Sequence, residues 1–511
     1  MSNKTGSKKR GPQQELGQLV SLQLHCSTTE PFYAQSDSAQ SSESSSSTTM
    51  LSFSDLPQDC FSAFKEYLEK HGYREGSMKS YAIPVAVAAF AVVCWLVFST
   101  TYHGFDPLKV LEQGRSITSR SWEFGTLAEA LLEYHDPALT VFDAEAFPSG
   151  SIPTVPDPSQ VASLAFAKSV IWTNNTDLLT DGEGSAADPA SLGTAAVLLS
   201  YHDRSYLEAA RRQAEYLLTK GKRFRINATH SAISHREDIP ELWGDFIYMV
   251  PPFLAYYGVA TKDIGYLEAA VAQCQLYSDV LSTNIALEDG QSCRGLWRHI
   301  VSDPPNLEPG VCCTDPDVWL TSSAWAVAGM TRVLATITHW QPPPKSSLSQ
   351  PEYIKFQATS RTTLINLIAS MLQCTRNQAR DEGSDLLKNY LDGVSHQSAA
   401  WAYGDAAGTA LMAAAVYRLA VLLPETYGVP LWLKWADQSR RAVARHIDEN
   451  GVVSPVADVG HVPSKSPAKR TSEGQSMVVL MFSAWRNCVD AGVCRRDGGL
   501  VQDILQRLTL W

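Results

Sequence analysis

The chain has 511 residues, a formal net charge of −11 at pH 7 and a pI near 5.6. An acidic chain is a poor partner for nucleic acid, because binding to a phosphate backbone needs a basic surface. The length allows one large domain or two to three ordinary ones, and 13 Trp and 19 Tyr provide aromatic surfaces that suit core packing and sugar rings alike.

The N-terminal region is rich in Ser and poor in large apolar side chains. Such a segment cannot bury enough surface to offset the entropy that ordering would cost. We therefore predict a disordered cytoplasmic tail over residues 1–55, followed by a juxtamembrane segment over residues 56–80.

The next segment, residues 81–102, contains no charged side chain and is long enough to cross a bilayer core of roughly 30 Å. We predict one transmembrane helix here and a linker over residues 103–117. An excess of basic residues marks the cytoplasmic side of a membrane span. Four of them precede the span closely: Lys65, Lys70, Arg74 and Lys79. The sequence thus predicts a single-pass type II membrane protein whose C-terminal region is luminal or extracellular.

Two features beyond the span agree with this topology. Asn174 and Asn227 each begin an Asn-x-Thr glycosylation acceptor. Seven cysteines also follow the span, on the side where disulfides persist, and their odd number leaves at least one thiol free or paired elsewhere: Cys274, Cys293, Cys312, Cys313, Cys374, Cys488 and Cys494.

The sequence predicts no metal site and no cofactor. The cysteines lack a regular zinc spacing. A Gly-rich phosphate loop, a His-Glu-x-x-His motif and a nucleophile elbow are also missing, which excludes the nucleotide-binding, metalloprotease and serine-hydrolase classes.

From about residue 118 onward, Ala- and Leu-rich helical patterns predominate, and one of them recurs. Tyr-Leu-Glu-Ala-Ala occurs at residues 206–210 and again at 266–270, each time after a short turn that follows a helix. Recurrence at such a period indicates stacked helical hairpins. We predict an all-α fold, an (α/α)6 toroid of six hairpins over residues 118–511, with Gly193 and Gly408 allowing tight packing of its inner ring.

Within this region one carboxylate lies in very apolar surroundings. The stretch from Asp238 to Gly258 predicts a buried helix, since Asp238 and Glu241 match an N-terminal capping pair. Two consecutive prolines in its second half are expected to bend or restart it. Asp245 lies between Trp, Phe, Ile and Met side chains, and from this stretch alone a structurally paired and a functional Asp are equally good interpretations.

Five motifs occur in order along this region: Trp122-Glu-Phe-Gly125, Asp188-Pro-Ala-Ser-Leu-Gly193, Leu242-Trp-Gly-Asp-Phe-Ile-Tyr-Met249, Gly295-Leu-Trp-Arg-His299 and Trp319-Leu-Thr-Ser-Ser-Ala-Trp325. With them, residues 118–495 resemble the six-hairpin glycosidases. Within these, the chain is similar to the unsaturated uronyl hydrolases of glycoside hydrolase families 105 and 88, which act on rhamnogalacturonan and glycosaminoglycan fragments. The Trp-x-Asp-x-x-x-Met match is the most specific.

The resemblance implies a catalytic role for two carboxylates. Asp245 matches the general acid and base of the family, and Asp188 matches an assisting Asp. The implied reaction hydrates the C4=C5 bond of an unsaturated uronic acid, and the resulting hemiketal then breaks down to release the sugar. Such chemistry needs an acid whose pKa lies near the working pH. We expect the apolar pocket and the nearby charge of Asp188 to raise the pKa of Asp245.

The same resemblance implies an oligosaccharide partner. The expected substrate-binding residues are His299, Trp243, Trp297, Arg298, His235, Trp319 and Trp325. The motifs nevertheless depart from the family at two places. Thr321 stands where the family often has Arg, and Gly404-Asp405-Ala-Ala-Gly408 stands where it has a Glu-Ser-Ser motif.

These departures leave alternatives open, because an anionic uronate is best bound by a guanidinium. Arg298, His235 or Arg236 can supply the charge. Otherwise the chain is an inactive membrane-tethered glycan-binding or scaffold protein, or a plain glycosidase with two carboxylates.

Overall fold

The computed structural model describes residues 104–287, 290–303, 315–343, 349–391 and 401–496. The helices are α1 (Pro107–Ile117), α2 (Ser121–His135), α3 (Ala162–Val170), α4 (Gly193–Leu199), α5 (Ser205–Glu215), α6 (Phe246–Thr261), α7 (Ile264–Leu281), α8 (Leu320–His339), α9 (Gln350–Arg376), α10 (Ala406–Leu422), α11 (Pro424–Tyr427), α12 (Pro430–Ala444) and α13 (Ser472–Asp490). A 3-10 helix, Asp188–Leu192, leads directly into α4.

Short antiparallel strand pairs lie between the helices. Their strands are β1 (Arg223–Arg225), β2 (Ser231–Ile233), β3 (Glu241–Trp243), β4 (Ser282–Ala286), β5 (Ser292–Trp297), β6 (Ile300–Ser302), β7 (Val456–Ala457) and β8 (Pro467–Ala468). The pairs are β1 with β2, β3 with β6, β4 with β5, and β7 with β8. The described part of the chain is thus predominantly helical, as predicted.

Six helices form a closed inner ring. In ring order these are α2, α4 with its 3-10 helix, α6, α8, α10 and α13, and α13 packs against α2 to close the ring. A second layer of helices packs outside them, with α3 against α2, α5 against α4, α7 against α6, α9 against α8 and α12 against α10. This arrangement confirms the predicted (α/α)6 toroid.

The sixth pair joins helices from opposite ends of the described chain. Helix α1 packs against α13, and its Val110 and Leu111 are buried in the core. The Gln475 amide of α13 donates to the Val110 carbonyl at 3.2 Å. Residues 103–117, which we expected to form a linker, therefore include an outer helix of the toroid, because α13 buries the apolar face of that helix.

The recurrent Tyr-Leu-Glu-Ala-Ala sequence occupies equivalent positions in two successive hairpins. Its first copy lies in the first turns of α5, and its second copy lies in the first turns of α7. The last Ala of the repeat is buried in both copies, as Ala210 and Ala270. Tyr206 and Ala209 are also buried in the first copy, and Leu267 is buried in the second. The recurrence thus marks the start of an outer helix, as the prediction of stacked hairpins requires.

Glycine allows inner helices to approach each other closely. A Cβ atom at Gly193 would lie 2.0 Å from the Phe253 ring of α6, and one at Gly408 would lie 2.6 Å from Leu320 of α8. No side chain fits at either separation. The prediction that these two glycines permit tight packing of the inner ring is confirmed.

The apolar stretch around Asp245 does not form one helix from residue 238. Asp238 is exposed, and Glu241–Trp243 form strand β3, whose residues pair with Ser302, Val301 and Ile300 of β6. Helix α6 starts only after Asp245, which occupies its N-cap position. The capping-pair prediction was wrong because the backbone of residues 241–243 pairs with residues 300–302 as an antiparallel strand and therefore cannot start a helix.

The prolines do not interrupt α6. The helix continues through Pro251 and Pro252 and past Gly258 to Thr261, where Lys262 adopts a left-handed backbone conformation with φ of 60°. All residues of α6 up to Val259 are buried. Packing on every side holds this segment helical although two backbone hydrogen bonds cannot form at the prolines.

Two disulfides lie in the described region. Cys293 of β5 pairs with Cys374 of α9, and Cys488 pairs with Cys494. Cys274 is a buried free thiol, while Cys312 and Cys313 lie outside the described residues. The expectation that disulfides form and that a thiol stays free is confirmed.

The predicted transmembrane segment, residues 81–102, and the predicted tail both lie outside the described residues. Within the part of the chain that is described, no helix combines the length and the hydrophobicity that spanning a membrane requires.

Candidate active site

A pocket opens at the end of the ring where inner helices begin, and it holds about 550 Å³ of empty space, its open mouth included. Asp188 precedes α4, Asp245 is the N-cap residue of α6, and Glu473 lies in the first turn of α13. The lining residues are Trp122, Asp188, His235, Trp243, Asp245, Met249, His299, Trp319, Trp325, Asp458, Val459, His461, Val462, Ser464 and Glu473. The positive ends of several helix dipoles therefore face a group of carboxyls.

Asp245 is buried between a hydroxyl and an imidazole. The Ser322 hydroxyl of α8 donates to Asp245 Oδ2 at 3.0 Å. His299 Nε2 lies 3.4 Å from the same oxygen. The residue's relative exposure is 8%, so it contacts the pocket with only a small part of its surface.

Asp188 has an analogous imidazole neighbour. His235 Nε2 lies 3.4 Å from Asp188 Oδ1, and the Ser185 hydroxyl oxygen accepts the Asp188 backbone N–H at 3.1 Å. Both Asp188 and His235 are buried. The site therefore contains two Asp–His pairs.

Trp243 separates the two pairs. The His235 ring stacks on its indole with ring centroids 4.8 Å apart and an interplanar angle of 11°. The His299 ring meets the indole edge-on at 5.6 Å and 78°. The indole N–H donates to Glu241 Oε2 at 2.8 Å, which holds Trp243 in this orientation.

The pKa values of the two carboxyls are shifted in opposite directions. Burial and the nearby charge of Asp245 raise the pKa of Asp188 to about 7, although a hydrogen bond from Ser185 opposes the shift. Burial also opposes the charge of Asp245, but the hydrogen bond and the charge of His299 hold its pKa below the ordinary value. From the sequence we expected a raised pKa for Asp245. In the structure the pKa of Asp188 is raised instead, and that of Asp245 is lowered.

The two histidines differ as well. Burial lowers the pKa of His235 to about 3, so this ring is neutral. Burial acts in the same sense on His299, but Asp245 and Asp315 outweigh it and raise its pKa to about 9. Asp315 accepts from His299 Nδ1 at 2.9 Å and from the Tyr390 hydroxyl at 2.6 Å. His299 is therefore an imidazolium between two carboxylates.

Most residues that the sequence proposed for the site line the pocket. The exceptions are Trp297 and Arg298. Trp297 is 1% exposed in the core, because it lies on β5 opposite Ser282 with its ring turned inward. Arg298 is half-buried and does not line the pocket, so neither residue is placed to bind a substrate there.

A guanidinium that could bind a uronate is missing from the described lining, which contains neither Lys nor Arg. Arg236, one proposed substitute, lies 3.3 Å from Asp238 near the surface instead. Thr321 occupies the position where the family often has Arg, and its hydroxyl donates to Asp405 Oδ2 at 2.7 Å. Asp405 also accepts from the backbone N–H groups of Ala407, Gly408 and Ala457, so it is a saturated structural cap of α10.

Sequence reasoning missed several polar residues of the site. Four of them line the pocket: Asp458, His461, Ser464 and Glu473. Two more, Asp315 and Ser322, contact His299 and Asp245. Asp315 lies 16 residues beyond His299. Ser322 lies within the Trp319–Trp325 motif, but its partner Asp245 is 77 residues earlier, so the motif does not reveal the contact. Glu473 had a usable signal. Like Asp188 and Asp245, it is an acidic residue at the N-terminal end of an inner helix.

This arrangement can carry out acid–base chemistry. It offers a carboxyl whose pKa is raised to about 7, a carboxyl whose pKa is lowered, and aromatic walls that suit a sugar ring. A closed ring of helix pairs with such a pocket at the helix N-termini defines the class of the protein as an (α/α)6 toroid glycosidase.

Comparison with known proteins agrees with this class. The model of Glycosyl Hydrolase Family 88 matches residues 163–484, well over half of the chain, and the chain belongs to this family. The match includes Asp188, Asp245, His299 and Glu473. No curated protein matches the chain in a sequence search.

Similar solved structures share the fold. A possible GH105 member from Klebsiella pneumoniae has a TM-score of 0.52 at 15% identity, covering 75% of this chain and 92% of that one. One from Salmonella enterica has 0.51 at 16%, covering 75% and 93%. A family 105 glycoside hydrolase of C. acetobutylicum has 0.51 at 16%, covering 76% and 99%. At these identities the similarity concerns the fold alone.

Proposed function

We propose that the protein hydrolyses oligosaccharides that end in an unsaturated uronic acid, by acid–base hydration of the C4=C5 bond. A proton adds to C4, and a water molecule that loses a proton to a base adds to C5. The hemiketal at C5 then opens, and the neighbouring sugar is released. The observation that carries the proposal is the pair of buried carboxyls, Asp188 and Asp245, in one aromatic pocket with opposite pKa shifts.

The directions of those shifts favour Asp188 as the acid of the resting site and Asp245 as the base. Below about pH 7 Asp188 carries the proton, and Asp245 is ionised beside the imidazolium of His299. This assignment reverses the roles that the family resemblance implied. After one turnover, proton exchange with solvent restores both carboxyls.

The test uses the purified toroid domain, a lyase-generated unsaturated disaccharide and the absorbance of its conjugated double bond. We expect Asp245→Asn to lower kcat/KM by at least about a hundredfold, as removal of a general acid or base does. Asp279→Asn, the same exchange at an exposed position on α7, serves as the matched control. Loss of absorbance that is equal in the wild type and in Asp245→Asn contradicts the proposal.

A second function is favoured by the lack of Lys and Arg among the described lining residues. In that case the toroid binds glycans or acts as a scaffold without turnover. Calorimetry with the same disaccharide distinguishes the two functions. Binding without any loss of the double bond supports the second function and rules out the first.

We also propose that this domain faces the lumen or the exterior behind a membrane anchor at residues 81–102. Two disulfides support an oxidising compartment. Asn174 and Asn227 are exposed, as glycan acceptors must be. Endoglycosidase treatment of the full chain expressed in a eukaryotic cell is expected to increase its gel mobility. No shift, or a shift that survives Asn174→Gln together with Asn227→Gln, contradicts this proposal.

A further inference from the structure

Glu473 is a third carboxyl of the pocket, and its two oxygens differ. Glu473 Oε2 accepts from the Trp122 indole N–H at 3.0 Å. Glu473 Oε1 is buried and has no hydrogen-bond partner among the described residues. The residue lines the pocket and is only 2% exposed. The unpartnered oxygen therefore belongs to a residue that is held by Trp122 and borders the space where a sugar would bind.

The charged groups that act on Glu473 are carboxyls. Burial raises its pKa well above the ordinary value, and the charges of Asp245, Glu123 and Asp405 raise it further. Arg120 lies over the Trp122 ring on α2 but pairs with Glu183 at the surface. Burial and the neighbouring carboxyls thus favour the neutral, protonated form of Glu473.

When Glu473 is neutral, its O–H group is a hydrogen-bond donor that has no acceptor among the described residues. Because Oε2 accepts the indole N–H, it acts as the carbonyl oxygen, and Oε1 carries the proton. A buried O–H without an acceptor is unfavourable. A ligand oxygen in the pocket would remove that cost.

We propose, on the basis of the function proposed above, that Glu473 is a substrate-binding residue whose Oε1–H donates to a carboxylate oxygen of the terminal uronate. An ionised acceptor forms the shortest and strongest hydrogen bonds with an O–H donor. The described lining offers no Lys or Arg for that carboxylate. His299 does not replace them, because Asp245 and Asp315 already balance its charge. An ionised Glu473 would repel the substrate, so the proton is part of the binding site.

The experiment compares KM and kcat for an unsaturated uronyl disaccharide among Glu473 variants. Glu473→Gln keeps an N–H donor and an oxygen that can accept from Trp122, and its KM is expected within about threefold of the wild type. Glu473→Ala removes the donor, and its KM is expected to rise about ten- to a hundredfold with a smaller change in kcat. Glu268→Gln, the same exchange at an exposed position on α7, is the control, because this carboxylate does not line the pocket.

Each outcome decides between the two proposals. If the wild type turns over and Glu473→Ala leaves KM unchanged, the role of Glu473 is overturned while the proposed function stands. If the wild type neither binds nor cleaves the disaccharide, the proposed function fails and the role of Glu473 fails with it.

A second measurement holds even if Glu473→Ala does not fold. The KM of the wild type is expected to rise at alkaline pH as Glu473 ionises. The KM of Glu473→Gln, which has no ionisable group at this position, is expected to change less over the same pH range. Both proteins share the titrations of Asp188 and His299, so the difference between the curves isolates Glu473. Superimposable KM–pH curves overturn the role.

Discussion

At the scale of single residues, the charge of each histidine in the two Asp–His pairs depends on the group that contacts the other side of its ring. His299 has Asp315 on its far side, 2.9 Å from Nδ1, and that second carboxylate keeps the ring charged. The ring of His235 instead stacks on Trp243, which provides no charge. One imidazole is therefore cationic and holds Asp245 ionised, while the other is neutral and leaves Asp188 protonated. The two carboxyls thus acquire opposite roles from similar first contacts.

The pH dependence of turnover tests this difference. Because the pKa of Asp188 is raised to about 7, its acid form is present below that pH and disappears above it. The pKa of Asp245 is lowered, so its base form persists into acidic solution. We expect kcat/KM of the wild type to fall as the pH rises through about 7 and to stay high down to about pH 5.

The matching variant is Asp188→Asn, which removes the carboxyl whose pKa is about 7. Its residual kcat/KM, expected about a hundredfold below that of the wild type at pH 5, should lack the decline near pH 7. A wild-type kcat/KM that falls on acidification through pH 6 would contradict the assignment of the acid role to Asp188 and of the base role to Asp245.

The sequence identified the residues of the two Asp–His pairs, but it did not predict the directions of their pKa shifts. Asp188, His235, Trp243, Asp245 and His299 all lie in or near short motifs, and all line the pocket. The direction of each pKa shift, however, depends on contacts such as Asp315 with His299 and Ser322 with Asp245. Those contacts join residues that are 16 and 77 positions apart in sequence, so a local pattern cannot specify them.

At the scale of elements, close packing between inner helices places the N-terminal ends of α4 and α6 beside each other. Gly193 begins α4 and faces the Phe253 ring of α6 at a distance that excludes a Cβ atom. Asp188 and Asp245 precede the same two helices. Displacement of α4 from α6 would therefore also separate the two carboxyls.

We expect Gly193→Ala to destabilise the fold by about 1–3 kcal/mol, the usual cost of forcing extra atoms into a packed core. Urea unfolding followed by tryptophan fluorescence measures the change. Gly383→Ala, at an exposed position without a close neighbour, is the control and should change stability by less than about 0.5 kcal/mol. Equal effects of the two substitutions would mean that the Gly193 contact does not limit helix packing.

The secondary structure around Asp245 shows which elements the sequence could not predict. The helical repeats, the small residues of the inner ring and the hairpin order were all readable, because they recur along the chain. Strand β3 was not, since residues 238–241 match a helix-capping pattern and the partner strand lies about 60 residues later. Helix α1 was also missed, because its packing partner is the last inner helix.

At the scale of the whole molecule, buried ion pairs cross the centre of the ring. Arg332 of α8 contacts Glu129 of α2 at 2.8 Å, and α2 lies on the opposite side of the ring. Arg418 of α10 contacts Glu133, one turn further along α2, at 2.6 Å. All four side chains are almost fully buried. These pairs link inner helices that are not neighbours in the ring.

Removal of one partner leaves a buried charge without compensation. We expect Arg418→Leu to lower the free energy of unfolding by about 3–5 kcal/mol and Arg418→Leu with Glu133→Leu to recover most of that loss. Denaturant unfolding of the purified domain measures both. Arg211→Leu breaks exposed pairs on α5 and should cost at most about 1 kcal/mol. A loss for Arg418→Leu no larger than that of Arg211→Leu would show that the central pairs are dispensable.

The central claim is that the toroid hydrates a C4=C5 double bond, and NMR of the reaction in D2O tests it most directly. With an unsaturated uronyl disaccharide as substrate, we predict that the alkene signal disappears as the disaccharide is cleaved and that one deuterium is found at C4 at early reaction times. Cleavage that leaves the double bond intact in the released sugar would identify an ordinary glycosidase and contradict the proposed reaction.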